Sequence, residues 1–429
     1  MSKKILVWFR NDLRLHDNEM LVEAIAKSDS ILPVYILDPR QFEETKYGTL
    51  KTGSVRTQFL FESVVGLRSG FKQIGGNLLI ATGNPEEIIP QLIQEYEITE
   101  VYHHREVARE ETHVSALVEN ALWKLRVNLK HFIGHTLYNK EDLPFPIKDI
   151  PDAFNQFKKK IERDSIIKPC FPAPDRINVA EVIDWGTLPS LPELNLVPQQ
   201  KDERSDFEFV GGEAEGLAHL QKVIVAMQQA ATTKNLILVS KLSAWLAMGC
   251  LSPRKVYWEI KKMEGMPNTK AMFNHILLGL LWRDYFRFMF KKYGNTFFHP
   301  DGFGSQGLVD IENEQENFSK WKNAQTGFAV VDAVMTELNQ TGFISNIARQ
   351  TAALYLVNNL EVSWIFGAAY FEEKLIDYNP ASTWGNWANI AGVGNDQKTK
   401  NVFDIDKNIK NLDPKGNYAL IWLPEQMID

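Results

Sequence analysis

The apolar residues of this chain follow two periods in succession, and that switch limits the fold more than any other feature. Over the first third, short apolar runs alternate with stretches of helical spacing. Lys4–Phe9, Ile31–Leu37, Asn77–Thr82, Glu100–His103 and Asn128–Ile133 read as buried strands, with Asn18–Ala26, Arg56–Leu67 and Pro85–Tyr96 as helices between them. Repeated βα units with short connections predict a doubly wound, Rossmann-like parallel sheet covered on both faces. After Gly211-Gly212-Glu213 the spacing is helical almost to the end, through Lys241–Met248, Arg254–Lys262, Met272–Tyr293, Phe328–Leu338, Ile344–Asn358 and Trp364–Leu375. Between the two regimes, prolines such as Pro144, Pro146, Pro151, Pro169, Pro172 and Pro174 mark a long connector in which only Asp152–Glu162 looks helical. The expected fold class is an N-terminal α/β domain over 1–140, a connector over 141–205 and a C-terminal all-α domain over 206–429.

At 429 residues, with 44% hydrophobic and 24% charged, the chain has ordinary globular composition, which excludes a mainly disordered or fibrous protein. No run approaches the roughly 18–20 apolar residues of a membrane span. The start MSKKILVWFRNDLRL places charge directly after ILVWF, so it does not read as a signal peptide. Cys170 and Cys250 make neither a disulfide framework nor a CxxC site, and the expected compartment is cytoplasmic. A net charge of −7 means that a DNA partner would need a local basic groove. Lys158-Lys159-Lys160 could contribute to one, but reads first as a solvated helix face. Eleven Trp and 25 Phe are costly to leave wet, so they belong in cores or around a planar ligand.

Doubly wound sheets bind ligands at the carboxyl ends of their strands, here the loops Arg10–Asp17, Asp38–Phe42 and His103–Glu110. None carries GxGxxG or GxxxxGK[ST], and no metal, HExxH or GxSxG spacing occurs. Adjacent strand residues His103 and His104 point oppositely, which predicts one in the core and one exposed. The densest constellation is TGFISNIAR (Thr341–Arg349) with DYNPASTWGNWANIA (Asp377–Ala391). An Arg349 inside an apolar domain needs a carboxylate, and Asp377 is the candidate; the pair reads either as a pin between helices or as part of a ligand site. Trp321, Trp364, Trp384 and Trp387 read either as core or as a relay for single electrons.

These strings, with VWFRNDLRLHDN (Val7–Asn18), REVAREE (Arg105–Glu111), FVGGEAEGLAHL (Phe209–Leu220), SKLSAWLAMGCLSPRKVY (Ser240–Tyr257), LLWRDYFRF (Leu280–Phe288) and AGVGND (Ala391–Asp396), resemble the cryptochrome/photolyase family, and within it the DASH branch, over nearly the full length. The resemblance implies an FAD-binding helical domain and blue-light-driven electron transfer. It implies FAD phosphate contacts at Ser240, Lys241, Leu242 and Ser243, further FAD contacts at Arg283 and Asn346, and an Arg349–Asp377 pair against the isoalloxazine. It also implies an electron relay running from Trp387 beside the flavin through Trp364 to Trp321 at the surface. Trp282 matches an aromatic that stacks on a flipped-out DNA lesion, and Glu110 an acidic contact to a folate (methenyltetrahydrofolate) antenna in relatives that carry one.

The sequence departs from the family pattern at the same places. Gly279 stands where a glutamate usually contacts a pyrimidine dimer, Thr383 where Asn usually faces flavin N5, Asn379 where an acid is typical and Asn389 where an aromatic is. Val239, Ile347 and Gln397–Lys400 depart around the phosphate stretch and pocket mouth. The leading expectation is a DASH-like blue-light flavoprotein with an unnamed signalling partner. The alternatives are a deoxyribodipyrimidine photolyase-type lyase acting on single-stranded or looped DNA, and a flavin-free binding protein.

Overall fold

The computed structural model describes residues 2–230, 240–304, 314–396 and 404–423. Five strands form one parallel sheet in the order β3-β2-β1-β4-β5: β1 Lys4–Phe9, β2 Ser30–Leu37, β3 Leu79–Thr82, β4 Glu100–His104 and β5 Asn128–Phe132. The order reverses between β1 and β4, where Ile5 pairs with Glu100 and Trp8 with His103. Helices α1 Glu19–Lys27, α2 Ser54–Gln73, α3 Pro85–Tyr96 and α4 Arg109–Leu125 supply the crossovers. The central strands are apolar on both faces, as a covered parallel sheet requires. Leu6, Trp8, Leu32, Val34 and Ile36 form one core with Ile89, Leu92 and Ile93 of α3 and Val118 and Leu122 of α4.

In the connector the one α-helix is α5, Phe154–Asp164, set on Phe154, Phe157 and Ile161. Farther on, Ile31 bridges to Val179, and Val182 and Trp185 pack on the sheet core. The remaining helices are α6 Glu213–Ala230, α7 Ser243–Ala247, α8 Pro253–Lys261, α9 Lys270–Tyr293, α10 Glu314–Lys322, α11 Ala329–Thr341, α12 Asn346–Asn358, α13 Trp364–Lys374, α14 Pro380–Ile390, α15 Ile405–Leu412 and α16 Asn417–Trp422.

The chain divides into two compact units along a line different from the boundaries read in the sequence. One comprises the chain up to Gln41, then Gln58–Ser190 and Val210–Lys292; the other comprises Phe42–Thr57, Leu191–Phe209 and the chain from Tyr293 onward. Helices α6 to α9 thus fold with the sheet, for a reason visible in the loop after β1. Asp17 accepts from Arg254 at 2.7 and 3.0 Å, His16 meets Glu213 at 2.5 Å, and Arg14 donates to the carbonyls of Gly134 and Gly249 at 2.7 and 2.9 Å. Gly249 sits at φ +68°, and a Cβ there would fall 2.0 Å from the Asn11 carbonyl, so only glycine permits this approach.

Candidate functional site

In the second unit the residues singled out from the sequence gather on α12 and α14. Ser345 caps α12 by accepting from the Ala348 amide, which leaves Asn346 exposed on the first turn and Arg349 one turn on. Arg349 Nη2 donates to both Asp377 oxygens at 2.8 and 3.0 Å, and its Nε donates to the Ile344 carbonyl at 3.0 Å. Asp377 is buried, so the guanidinium supplies the compensating charge that its carboxylate needs. Asn379 caps α14 by accepting from Ser382, Pro380 occupies the first position, and Thr383 follows on the next turn, buried. Among the described residues, the buried Ser382 Oγ has no hydrogen-bond partner. A buried orphan hydroxyl is costly in a folded protein, and a polar ligand edge would satisfy it. Together with the Arg349–Asp377 pair and the exposed Asn346 amide, these groups fit a flavin by their donor and acceptor chemistry.

The tryptophans do not run in the order implied by the resemblance. Trp321 has no solvent exposure; its indole N–H donates to the Ala352 carbonyl and its ring meets Trp387 at 6.2 Å. It therefore cannot be the surface end of a relay. Trp364 instead packs edge-on against Trp384 at 5.8 Å, and Phe371 lies 5.0 Å from Trp387. Gly367 makes the seat for Trp387: a Cβ there would come 2.2 Å from the indole, so a side chain would hold α13 and α14 apart.

In the first unit, Ser240 and Lys241 precede α7, Leu242 is buried at its N-cap position and Ser243 is its first residue. Lys241 takes a left-handed conformation, φ 47°, and His219 Nε2 lies 2.8 Å from the Ser240 carbonyl. Arg283 donates to the carbonyls of Leu246 at 2.8 Å and His135 at 3.3 Å. Trp282 stacks on Phe154 at 3.6 Å and 7°, with Phe286 at 5.4 Å. Gly279 is exposed, and nothing lies within 4 Å of a Cβ built on it. Val239 and Gln397–Lys400 lie outside the described residues. Of the lysine run on α5, Lys159 and Lys160 are exposed and Lys158 pairs with Glu162 at 3.3 Å, the solvated-face arrangement.

The carboxyl ends of β1 and β4 hold a polar cluster that the sequence reading only partly reached. His103 and His104 are both fully buried, against the expected split, because β4 is covered on both faces. His104 Nδ1 meets Asp12 at 2.6 Å, and His103 Nε2 meets His131 at 2.7 Å. Glu110 is exposed at the start of α4, while its half-buried neighbour Glu111 accepts from Asn11 at 3.3 Å, as does Glu106. Arg287 also donates to Glu106 at 2.7 Å. Burial would raise the Glu106 carboxyl, but His135, Arg287 and Arg10 outweigh it and hold it well below the usual range. Desolvation and then the Glu106 charge push Glu111 up to about 8. Asn11 and Glu106 could have been singled out, because they fall in the loops that follow β1 and β4 at the point where the strand order reverses, whereas Glu111 lies in the first turn of α4.

Comparison with known proteins agrees with this geometry. Residues 5–175 match the DNA photolyase family and residues 276–427 the FAD binding domain of DNA photolyase. Cryptochrome DASH of Gloeobacter violaceus is 43% identical over 99% of this chain and 86% of the relative. Cryptochrome DASH of Synechocystis sp. PCC 6803 is 42% identical over 98% of this chain and 87% of the relative. The crystal structure of the Synechocystis sp. PCC 6803 cryptochrome superposes with a TM-score of 0.92 at 41% identity, covering 99% of this chain and 89% of that one. A photolyase from Sulfolobus tokodaii, solved with two FAD molecules, shares the fold at a TM-score of 0.80 and 24% identity, over 99% of this chain and 91% of that one. The chain belongs to the photolyase/cryptochrome family, in its cryptochrome DASH branch. It is a DASH-like flavoprotein with an N-terminal sheet domain and a helical FAD-binding domain. Among the described residues no helix is long and apolar enough to cross a membrane.

Proposed function

We propose that the protein is a blue-light-responsive flavoprotein whose second unit delivers single electrons to FAD through buried aromatic side chains. The observation that carries this reading is the pairing of half-buried Arg349 with buried Asp377, together with the unpartnered Ser382 hydroxyl and the buried Thr383 on α14. FAD, when bound, supplies the light-absorbing one-electron acceptor. Arg349 and Asp377 would lie against its ring system, with Asn346, Asn379 and Thr383 as further contacts. The phosphate role of Ser240, Lys241, Leu242 and Ser243, and the FAD contact of Arg283, are proposed on the family match. Trp387, fixed by Gly367 and in contact with Trp321, is the first donor in this reading. A folate antenna at the carboxyl ends of β1 and β4 is proposed with Glu111 rather than Glu110 as its acidic contact, since Glu111 is the one turned toward Asn11. The proposed compartment is the cytoplasm, in keeping with two free cysteines.

The test is a visible spectrum of the purified protein in the dark and under blue light, with the released cofactor identified after denaturation. Stoichiometric FAD that bleaches under light, and bleaches more slowly in Trp387→Phe, is expected. A colourless protein that refuses FAD would overturn the reading in favour of a flavin-free binding protein.

Dimer repair on DNA is the second reading, and its lesion contacts are weak. Gly279 offers no side-chain donor and Phe154 already occupies one face of Trp282. Because the space at Gly279 is open, Gly279→Glu can be accommodated, and it should raise repair of dimers in single-stranded DNA. No gain in a photoreducible variant would remove repair from consideration.

A further inference from the structure

The first unit holds a half-open pocket of about 260 Å³, none of whose lining residues belongs to the flavin or antenna sets. Tyr257 and Trp258 of α8 form one corner of it. Neighbours on a helix point about 100° apart, and these two rings meet at 74° with centroids 5.1 Å apart. The Trp258 indole N–H donates to the Lys168 carbonyl at 3.0 Å, which fixes that wall while the ring stays partly exposed. Ile167 and Leu281 supply apolar walls, and Tyr138 and Glu162 the polar ones. The Tyr138 backbone is tied down, its amide donating to Asp284 at 3.1 Å and its carbonyl accepting from Thr136 at 2.7 Å. Its hydroxyl makes no hydrogen bond among the described residues.

We propose that this pocket binds a small quaternary ammonium cation of the choline class, recognised by the Tyr257 and Trp258 ring faces and the Glu162 carboxylate. An aromatic face is electron-rich and attracts a cation within about 6 Å of the ring centre, indole most strongly. Glu162 alone among the lining residues carries a formal charge, and its sign is the complementary one. A primary ammonium is strongly hydrated and needs acceptors for its protons. A quaternary head group donates no hydrogen bond, so it loses less on entering an apolar aromatic corner. Pockets for drug-sized ligands run to about 300–1,000 Å³, so this one suits a smaller molecule.

Elsewhere the chain covers such ring faces with its own cations: Arg10 lies 4.8 Å over Trp8, and Arg204 lies 5.0 Å over Trp422. Among the described residues, no lysine or arginine lies over the ring of Tyr138, Tyr257 or Trp258. The neighbouring lysines are already held by carboxylates. Lys168 pairs with Asp142 at 2.6 Å, Lys255 with Glu259 at 2.9 Å and Lys261 with Glu264 at 2.5 Å. Lys158 is the competitor for Glu162, at 3.3 Å, with side chains 36% and 40% exposed. An exposed pair one helical turn apart is worth little in water. A ligand cation that also gains the aromatic faces therefore displaces it.

The experiment titrates choline and its neutral isostere 3,3-dimethylbutan-1-ol into the full-length protein, following each methyl resonance by saturation-transfer nuclear magnetic resonance. The two probes share a shape and differ in charge. Choline should bind at least about tenfold more tightly than the alcohol. Trp258→Leu keeps an apolar wall but removes the ring face, and should weaken choline severalfold while leaving the alcohol almost unmoved. Glu162→Gln should act in the same direction. Both side chains are partly exposed, so the fold tolerates these changes, and an unchanged thermal midpoint checks that it does. Equal affinities for the two probes would mean a plain apolar pocket and would overturn the proposal. So would the absence of any choline signal, or a choline affinity that neither variant moves. No flavin signal is read, so either outcome leaves the light-driven reading to its own test.

Discussion

Asn11 donates to both Glu106 and Glu111 at 3.3 Å, yet the two carboxyls titrate in opposite directions. Glu106 takes the charge because His135, Arg287 and Arg10 favour it there, and its presence keeps the proton on Glu111. The sign for stability follows from linkage. Glu111 rises from 4.5 to about 8 on folding, so its contribution is full below pH 4.5 and is lost as the pH climbs through about 8. The slope for one proton is at most about 1.4 kcal/mol per pH unit. Glu106, held low, contributes above its ordinary range and loses that contribution on acidification. Thermal unfolding should therefore show a midpoint that declines from mildly acidic pH toward pH 8, and the decline should flatten in Glu111→Gln. An identical decline in that variant would assign the effect to another group.

At the scale of elements, α13 and α14 approach as closely as they do because Gly367 faces the Trp387 indole. Gly367→Ala would force the ring or the helix to shift, a strain of about 1–3 kcal/mol in a packed core. Chemical denaturation should show a loss in that range, and flavin photoreduction should slow with it; full stability together with native photoreduction would mean that Trp387 has room to move. The start of α14 depends on a different device. Asn379 accepts the Ser382 amide, so Asn379→Ala should cost about 1 kcal/mol, while Asn379→Asp should restore the cap. Whether Asn379→Asp also changes flavin binding, read by the absorption spectrum, separates capping from ligand contact.

On the scale of the whole molecule, long-range ion pairs decide which helices fold with the sheet. Asp17 and Arg254 are both buried, and Ser252 also bonds to Asp17. Asp17→Asn keeps the shape but leaves the Arg254 charge without its partner, at a cost of roughly 3 kcal/mol. Since Asp17 sits at φ 47°, asparagine is the substitution that the backbone tolerates best. Urea unfolding followed by near-ultraviolet circular dichroism should show the loss, and the double variant Asp17→Asn with Arg254→Met should recover part of it. No recovery would mean that the packing of the loop, not the charge, is what Asp17 secures.

The sequence by itself determined the parallel sheet, the helical remainder and the family. Those rest on apolar period and on ordered strings of residues, both of which are local and survive without coordinates. It also singled out Arg349 and Asp377, because a charge within an apolar stretch requires a partner wherever the chain brings one. Only the tertiary structure decided that His103 and His104 are both interior, since a covered parallel sheet buries both faces of β4. In the same way, the fold turned Glu111 rather than Glu110 toward Asn11 and placed Trp321 inside rather than at the surface. Each of these depends on which side of an element meets which neighbour. A period in the sequence specifies a face, and the packing of distant segments specifies what that face touches.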